Sequence, residues 1–188
     1  MDYQVININE SSKLALFDLR NLQIENKREK EALGVKLLLS NLFNDEVELA
    51  YYDTGKPHLK NRTEEISISH SHDMLALIVD KQKLTGIDIE LIRDKVLKIT
   101  HKFLSDNELK NIAGQSIEKV LVYWTAKETL YKIYAKKNVD FREHLFIANF
   151  DYSEKGGELI ANIVLNDFEK EIKLKYMKVD EYILVYPI

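Results

Sequence analysis

The order of hydrophobic periods along the chain constrains its fold more than any single motif does. Residues 4–8 alternate like a strand, and residues 25–43 place Ala32, Leu33, Leu37, Leu38 and Leu42 at helical spacing. Strand-type patterning then runs through residues 47–52, 66–68, 74–79 and 85–89, broken by short polar turns. Helical spacing returns over 95–103, 106–112 and 117–136, the last carrying Val120, Leu121, Trp124, Leu130 and Ile133. Strand-like stretches at 145–150, 158–165, 172–177 and 182–186 close the chain. Helix then strands, followed by helices then strands, is the pattern of an α+β protein with two similarly built halves meeting near residues 84–90.

At 188 residues and 45% hydrophobic content the chain has enough apolar material for a real core, which excludes a disordered or fibrous reading. Two prolines and six glycines mark no flexible linker, so the halves are expected to pack tightly. Lysine and arginine number 27 against 31 aspartates and glutamates, and the basic residues are scattered, which argues against nucleic acid as a partner. The absence of cysteine removes disulfides, thiolate metal sites and thiol nucleophiles, and fits a reducing compartment. No apolar run approaches the roughly 20 residues that span a bilayer, and the N-terminus lacks a basic-then-apolar signal. The expectation is a cytoplasmic protein without a membrane partner.

Four short segments carry chemistry. In Gly86-Ile87-Asp88-Ile89-Glu90, a strand would point Asp88 and Glu90 to one face and the two isoleucines to the other. Paired carboxylates on a buried strand repel unless a cation or protons relieve them, and oxygen-only ligands favour Mg²⁺, with Mn²⁺ as the alternative. By spacing alone, an edge strand with both carboxylates in water is the plainer reading. In Trp124-Thr125-Ala126-Lys127-Glu128, followed by Lys132, positions 124, 128 and 132 fall on one helix face. Taken singly, that is an ordinary surface ion pair worth ~0.3–0.5 kcal/mol beside a core tryptophan.

Gly55-Lys56-Pro57 would hold a lysine stiffly in a turn, and Ile68-Ser69-His70-Ser71-His72 ends a strand in hydroxyls and imidazoles, the donors that phosphate oxygens accept. A zinc site at His70 and His72 lacks an evident third ligand. Lys27, Lys30 and Lys36 sit toward the start of the 25–43 helix, where positive charge opposes the macrodipole. That makes sense facing an anion, and a solvated helix face explains it equally well.

Read in order, these segments resemble the 4′-phosphopantetheinyl transferase superfamily, of the monomeric type that activates surfactin synthetase. The motifs span residues 55–132, and with the basic helix the similarity runs from about 27 to 141. The resemblance implies two halves related by pseudo-twofold symmetry, residues 1–84 and 85–188, each a long helix packed on a small antiparallel sheet. It implies a monomer with the active site between the halves.

By the same resemblance, Asp88, Glu90 and Glu128 would hold Mg²⁺ with the diphosphate of coenzyme A, and Lys132 would neutralise that diphosphate. Lys27, Lys30, Lys36, Lys56, Ser69 and His70 would grip the 3′-phosphate and nucleotide end. The implied reaction moves 4′-phosphopantetheine from coenzyme A to a serine of an apo acyl or peptidyl carrier protein and releases 3′,5′-ADP, with Glu128 as candidate base. A non-catalytic coenzyme A-binding module and a Mg²⁺-dependent phosphate-ester hydrolase are the alternatives. Lys36 stands where many members carry arginine, and no glycine follows Lys132, although Asn138 suits a left-handed turn. His72 is expected to be a surface or loop residue, and Glu108 receives no role.

Overall fold

The computed structural model describes residues 3–43, 45–81, 85–165 and 168–188. Strand β1 (Tyr3–Asn7) opens the chain and pairs with β2 (Ser12–Asp18). After a 3-10 turn comes helix α1 (Lys27–Leu42), whose start is fixed by Asn26, its side chain accepting from the backbone N–H groups of Arg28 and Glu29. A short hairpin of β3 (Leu49–Tyr51) and β4 (Pro57–Leu59) precedes β5 (Glu65–Ser71) and β6 (Met74–Asp80). Together these strands form one antiparallel sheet in the order β1-β2-β6-β5 and a separate two-stranded β3-β4 pair. His72, expected to be a loop residue, is exposed in the β5–β6 turn with φ of 52°.

The second sheet is built from β7 (Asp88–Leu91), β8 (Leu145–Ile147), β9 (Gly157–Leu165), β10 (Phe168–Val179) and β11 (Tyr182–Pro187), in the order β7-β11-β10-β9-β8. Between β7 and β8 lie a 3-10 segment (Asp94–Ile99), α2 (Thr100–Phe103), α3 (Asp106–Asn111) and the long α4 (Ile117–Tyr134). The helix expected over 95–103 is therefore a 3-10 segment running into a single α turn. No side chain among the described residues accepts from the N–H groups at its start, where Arg93 stands at the cap position.

Three apolar clusters set the layers. Val35, Leu38 and Leu39 of α1 pack on Ala15, Phe17, Leu75 and Leu77, one face of the first sheet. The opposite face, through Leu14, Leu16, Ala76 and Ile78, meets Ile87, Ile89, Leu184 and Tyr186 of the second sheet. That sheet in turn presents Ile183, Val185, Leu174 and Tyr176 to Tyr123, Ala126 and Leu130 of α4. The layers therefore run helix, sheet, sheet, helix. Burial on both faces explains why β6 is a continuous apolar run, Met74 to Val79, rather than an alternating one. It also explains why β2, whose successive residues Leu14 to Phe17 are all buried, is absent from the strands expected by alternation.

The expected division at residue 84 falls outside the described residues. No helix among the described residues is long and apolar enough to cross a membrane.

Candidate active site

β7 and β5 are the facing edges of the two sheets, and they are joined by side chains rather than by a backbone ladder. The β7 edge would otherwise leave alternate N–H groups without partners in a buried position. Three serines on β5 satisfy them: Ile87 donates to Ser67 Oγ at 3.1 Å, Ile89 to Ser69 Oγ at 3.3 Å and Leu91 to Ser71 Oγ at 3.2 Å. The two-residue period of each strand makes the three contacts repeat in register. The same hydroxyls donate onward, Ser69 to Asp88 Oδ1 at 2.7 Å and Ser71 to Glu90 Oε2 at 2.8 Å.

Helix α4 brings the other half of the site. Gly86 lies so close to it that an added Cβ would sit 2.6 Å from the Thr129 carbonyl oxygen, so only glycine lets β7 approach this far. From one turn further along, Lys132 donates to Asp88 Oδ1 at 2.8 Å and to the Ile87 carbonyl at 2.9 Å. Asp88 Oδ2 is buried and has no hydrogen-bond partner among the described residues. Burial pushes the Asp88 carboxyl above the usual carboxylate range, outweighing the pull of Lys132. Glu128 is pushed up from the usual 4.5 to about 7, first by burial and then by the neighbouring charge of Asp88, with Glu90 adding to it and Lys132 opposing it.

Glu128 and Lys132 open on a cleft of about 240 Å³ whose walls include Lys56, Thr85, Tyr131, Lys136 and Lys137. The Glu128 carboxyl thus shares the cleft with four lysines, and Asp88 lies behind Lys132, a charge arrangement suited to a polyanion carrying a cation. Glu90 lies two residues on along β7, close enough for its charge to act on both Asp88 and Glu128; its Oε1 accepts from the Trp124 indole at 3.0 Å, and it also borders a second hollow with Arg93 and Lys95. Among the described residues no group of three or more aspartate, glutamate or histidine side chains forms a ready metal-ligand set. The unpartnered buried oxygen of Asp88 and the protonation-prone Glu128 are nevertheless the sites that a divalent cation would relieve, so the donor set fits one.

A model of the 4′-phosphopantetheinyl transferase superfamily matches residues 85–186, more than half of the chain. The chain belongs to that superfamily. The 4′-phosphopantetheinyl transferase AcpT of Salmonella typhi is 30% identical over 107 residues, which cover 53% of this chain and 56% of that relative. The match therefore spans about half the length of the curated relative.

Within this superfamily member, the residues expected to grip a nucleotide divide between two cavities. Lys56 lines the Glu128 cleft and pairs with Glu65 at 2.5 Å. Lys36 and His70 line a larger cavity of about 650 Å³ between α1 and the β3-β4 hairpin, together with Arg28 and Glu31. His70 Nδ1 lies 3.2 Å from Glu31 Oε1, and Lys27, one helix turn earlier, is 3.6 Å from the same oxygen. Lys27 and Lys30 line neither cavity, and the charge of Lys30 acts on Asp18 instead. Ser69 is buried in the ladder between the sheets, where its hydroxyl is committed to Asp88 and Ile89.

Sequence reasoning missed the roles of Glu108 and Lys127. Ser105 and Glu108 form a capping box at the start of α3, and one Glu108 oxygen also accepts from fully buried Lys127 at 2.6 Å. Lys127 donates further to the carbonyls of Phe103 and Phe141, while the other Glu108 oxygen accepts from the Ile147 backbone. Burial lowers the Lys127 pKa, and Glu108 opposes that shift. One ion pair thus ties α2, α3, α4, β8 and the turn at Phe141 together. The Ser-x-x-Glu spacing at 105–108 was the visible signal for half of it.

Proposed function

We propose that the chain is a 4′-phosphopantetheinyl transferase that moves the phosphopantetheine arm of coenzyme A to a serine of an apo acyl or peptidyl carrier protein, with release of 3′,5′-ADP. The observation carrying this reading is that Glu128 and Lys132, both within reach of the Asp88 charge, line one cleft with Lys56, Lys136 and Lys137. We read the protein as the monomeric, surfactin-synthetase-activating type, with halves 1–84 and 85–188 related by pseudo-twofold symmetry. The helix, sheet, sheet, helix layering supports that division.

Mg²⁺ held by Asp88 and Glu128, with Glu90 close by, would supply Lewis acidity and charge neutralisation at the diphosphate. Lys132 meets the diphosphate and holds Asp88 in place, while Lys56, Lys136 and Lys137 hold the remaining phosphate charge at the rim. Lys36 and His70 take the 3′-phosphate in the neighbouring cavity.

A serine hydroxyl is a weak nucleophile and must lose its proton as it attacks. Glu128, directly or through a water bound at the site, accepts that proton as the new oxygen–phosphorus bond forms and the bond to 3′,5′-ADP breaks. The test is incubation with coenzyme A, Mg²⁺ and a panel of apo carrier proteins, followed by intact mass. A phosphopantetheine mass gain on at least one carrier is expected, and unchanged mass on every carrier overturns the proposal.

A further inference from the structure

The geometry points to Ser71 as a positioning residue: with the Trp124 indole it fixes the Glu90 carboxylate beside the cation site of Asp88 and Glu128. This inference rests on the function proposed above. Both oxygens of Glu90 are held by different elements, Oε2 by Ser71 of β5 at 2.8 Å and Oε1 by Trp124 of α4 at 3.0 Å. Glu90 itself comes from β7, so its side chain is pinned where three elements meet. Each partner is itself immobilised. Ser71 is buried and accepts from the Leu91 backbone at 3.2 Å, which leaves its proton free to point at Glu90. Trp124 packs edge-on against Phe103, with ring centroids 5.1 Å apart, and tilted against Phe141 at 5.8 Å.

The arrangement does more than satisfy the edge of β7. Backbone stitching alone is achieved by Ser67 through the Ile87 N–H. Ser69 and Ser71 each add a hydrogen bond to a carboxylate, and these are the two carboxylates that share one strand face. A carboxylate fixed by outer hydrogen bonds offers its charge in one place, which is how surrounding groups tune a cation site.

The chain's single tryptophan supplies the readout, because its indole N–H gives one resolved resonance in a ¹H–¹⁵N spectrum and that proton is the one donated to Glu90. In cation-free protein, Ser71→Ala is expected to move this resonance toward its position in Glu90→Gln, whereas Ser71→Thr keeps it and Ser67→Ala, which breaks only backbone stitching, leaves it in place. Titration with Mg²⁺, followed by the same resonance, is expected to give an affinity roughly tenfold weaker in Ser71→Ala than in wild type or Ser71→Thr.

An indole resonance unmoved by Ser71→Ala overturns the inference, as does a moved resonance with an unchanged Mg²⁺ midpoint. Equal displacement by Ser67→Ala also overturns it, since general loosening of the ladder would then explain the effect. A wild-type resonance indifferent to saturating Mg²⁺ overturns the claim that Ser71 serves a cation site. Transfer to a carrier persisting in that protein would show that the proposed activity stands without it.

Discussion

Lys132 Nζ sits 2.8 Å from one oxygen of Asp88, while the other oxygen of the same buried carboxylate has no partner among the described residues. The lysine therefore compensates part of the cost of burying Asp88 and leaves one buried acceptor still without a protein donor. Replacing Lys132 with Met should destabilise the protein by roughly 3 kcal/mol, the low end for breaking a buried pair because Lys132 is about a quarter exposed. Urea unfolding of Lys132→Met and of the double variant with Asp88→Asn checks this. The double variant should recover much of the loss, because it no longer buries an uncompensated charge.

Glu128 makes the stability depend on pH. Its folded pKa, about 7, lies above the usual 4.5, so the folded state holds a proton that the unfolded chain releases between those values. The contribution is fully present below about pH 4.5 and is lost as pH rises through about 7. The loss amounts to at most about 3 kcal/mol. In cation-free buffer, Glu128→Gln should therefore melt above wild type at pH 8 and close to it at pH 4.5, while having no transferase activity. Thermal scans at both pH values measure this, and Mg²⁺ should raise the wild-type melting temperature at pH 8 more than that of the variant.

The adjacent lysine behaves in the opposite way. Lys127→Ala strands the Glu108 carboxylate and two carbonyl oxygens in the interior, and it should cost about 3–5 kcal/mol. Loss of activity in that variant should track loss of cooperative unfolding by circular dichroism, whereas Glu128→Gln should lose activity with its fold intact.

His70, beside Glu31 in the cavity that also contains Lys36, is the proposed contact for the 3′-phosphate. Coenzyme A should bind more tightly than dephospho-coenzyme A, and His70→Ala should erase most of the difference. The expected change is ~1.5–3 kcal/mol, one to two decades in affinity. The diphosphate contacts are common to both ligands and cancel, so calorimetric titration of the pair isolates this end of the molecule.

Much of this architecture is legible in the sequence because it depends on local spacing. The long helices α1 and α4 follow from apolar residues at helical intervals, and Asn138, expected to suit a left-handed turn, has φ of 65°. The helix end itself is different: Ala135 takes the left-handed position where glycine is the easier residue, so the turn after Lys132 is made by alanine.

What remained hidden depends on pairing across elements. Nothing at position 71 indicates that its hydroxyl reaches Glu90 on another sheet, and nothing at position 127 indicates that a lysine so near a candidate acid is buried and structural. The lysines of α1 share a charge pattern but not a destination. Lys36 reaches the His70 cavity while Lys27 pairs with Glu31, because helical rotation sends positions nine residues apart in different local environments.

The most direct test of the account is to quantify loaded carrier by intact mass and nucleotide by chromatography in one reaction of wild-type protein with coenzyme A, Mg²⁺ and an apo carrier. Transfer predicts one 3′,5′-ADP released for each phosphopantetheine gained by the carrier, and no nucleotide release when the carrier serine is replaced by alanine. Nucleotide released at the same rate without carrier loading would mean that water is the acceptor, and it would contradict the assignment of this site to transfer.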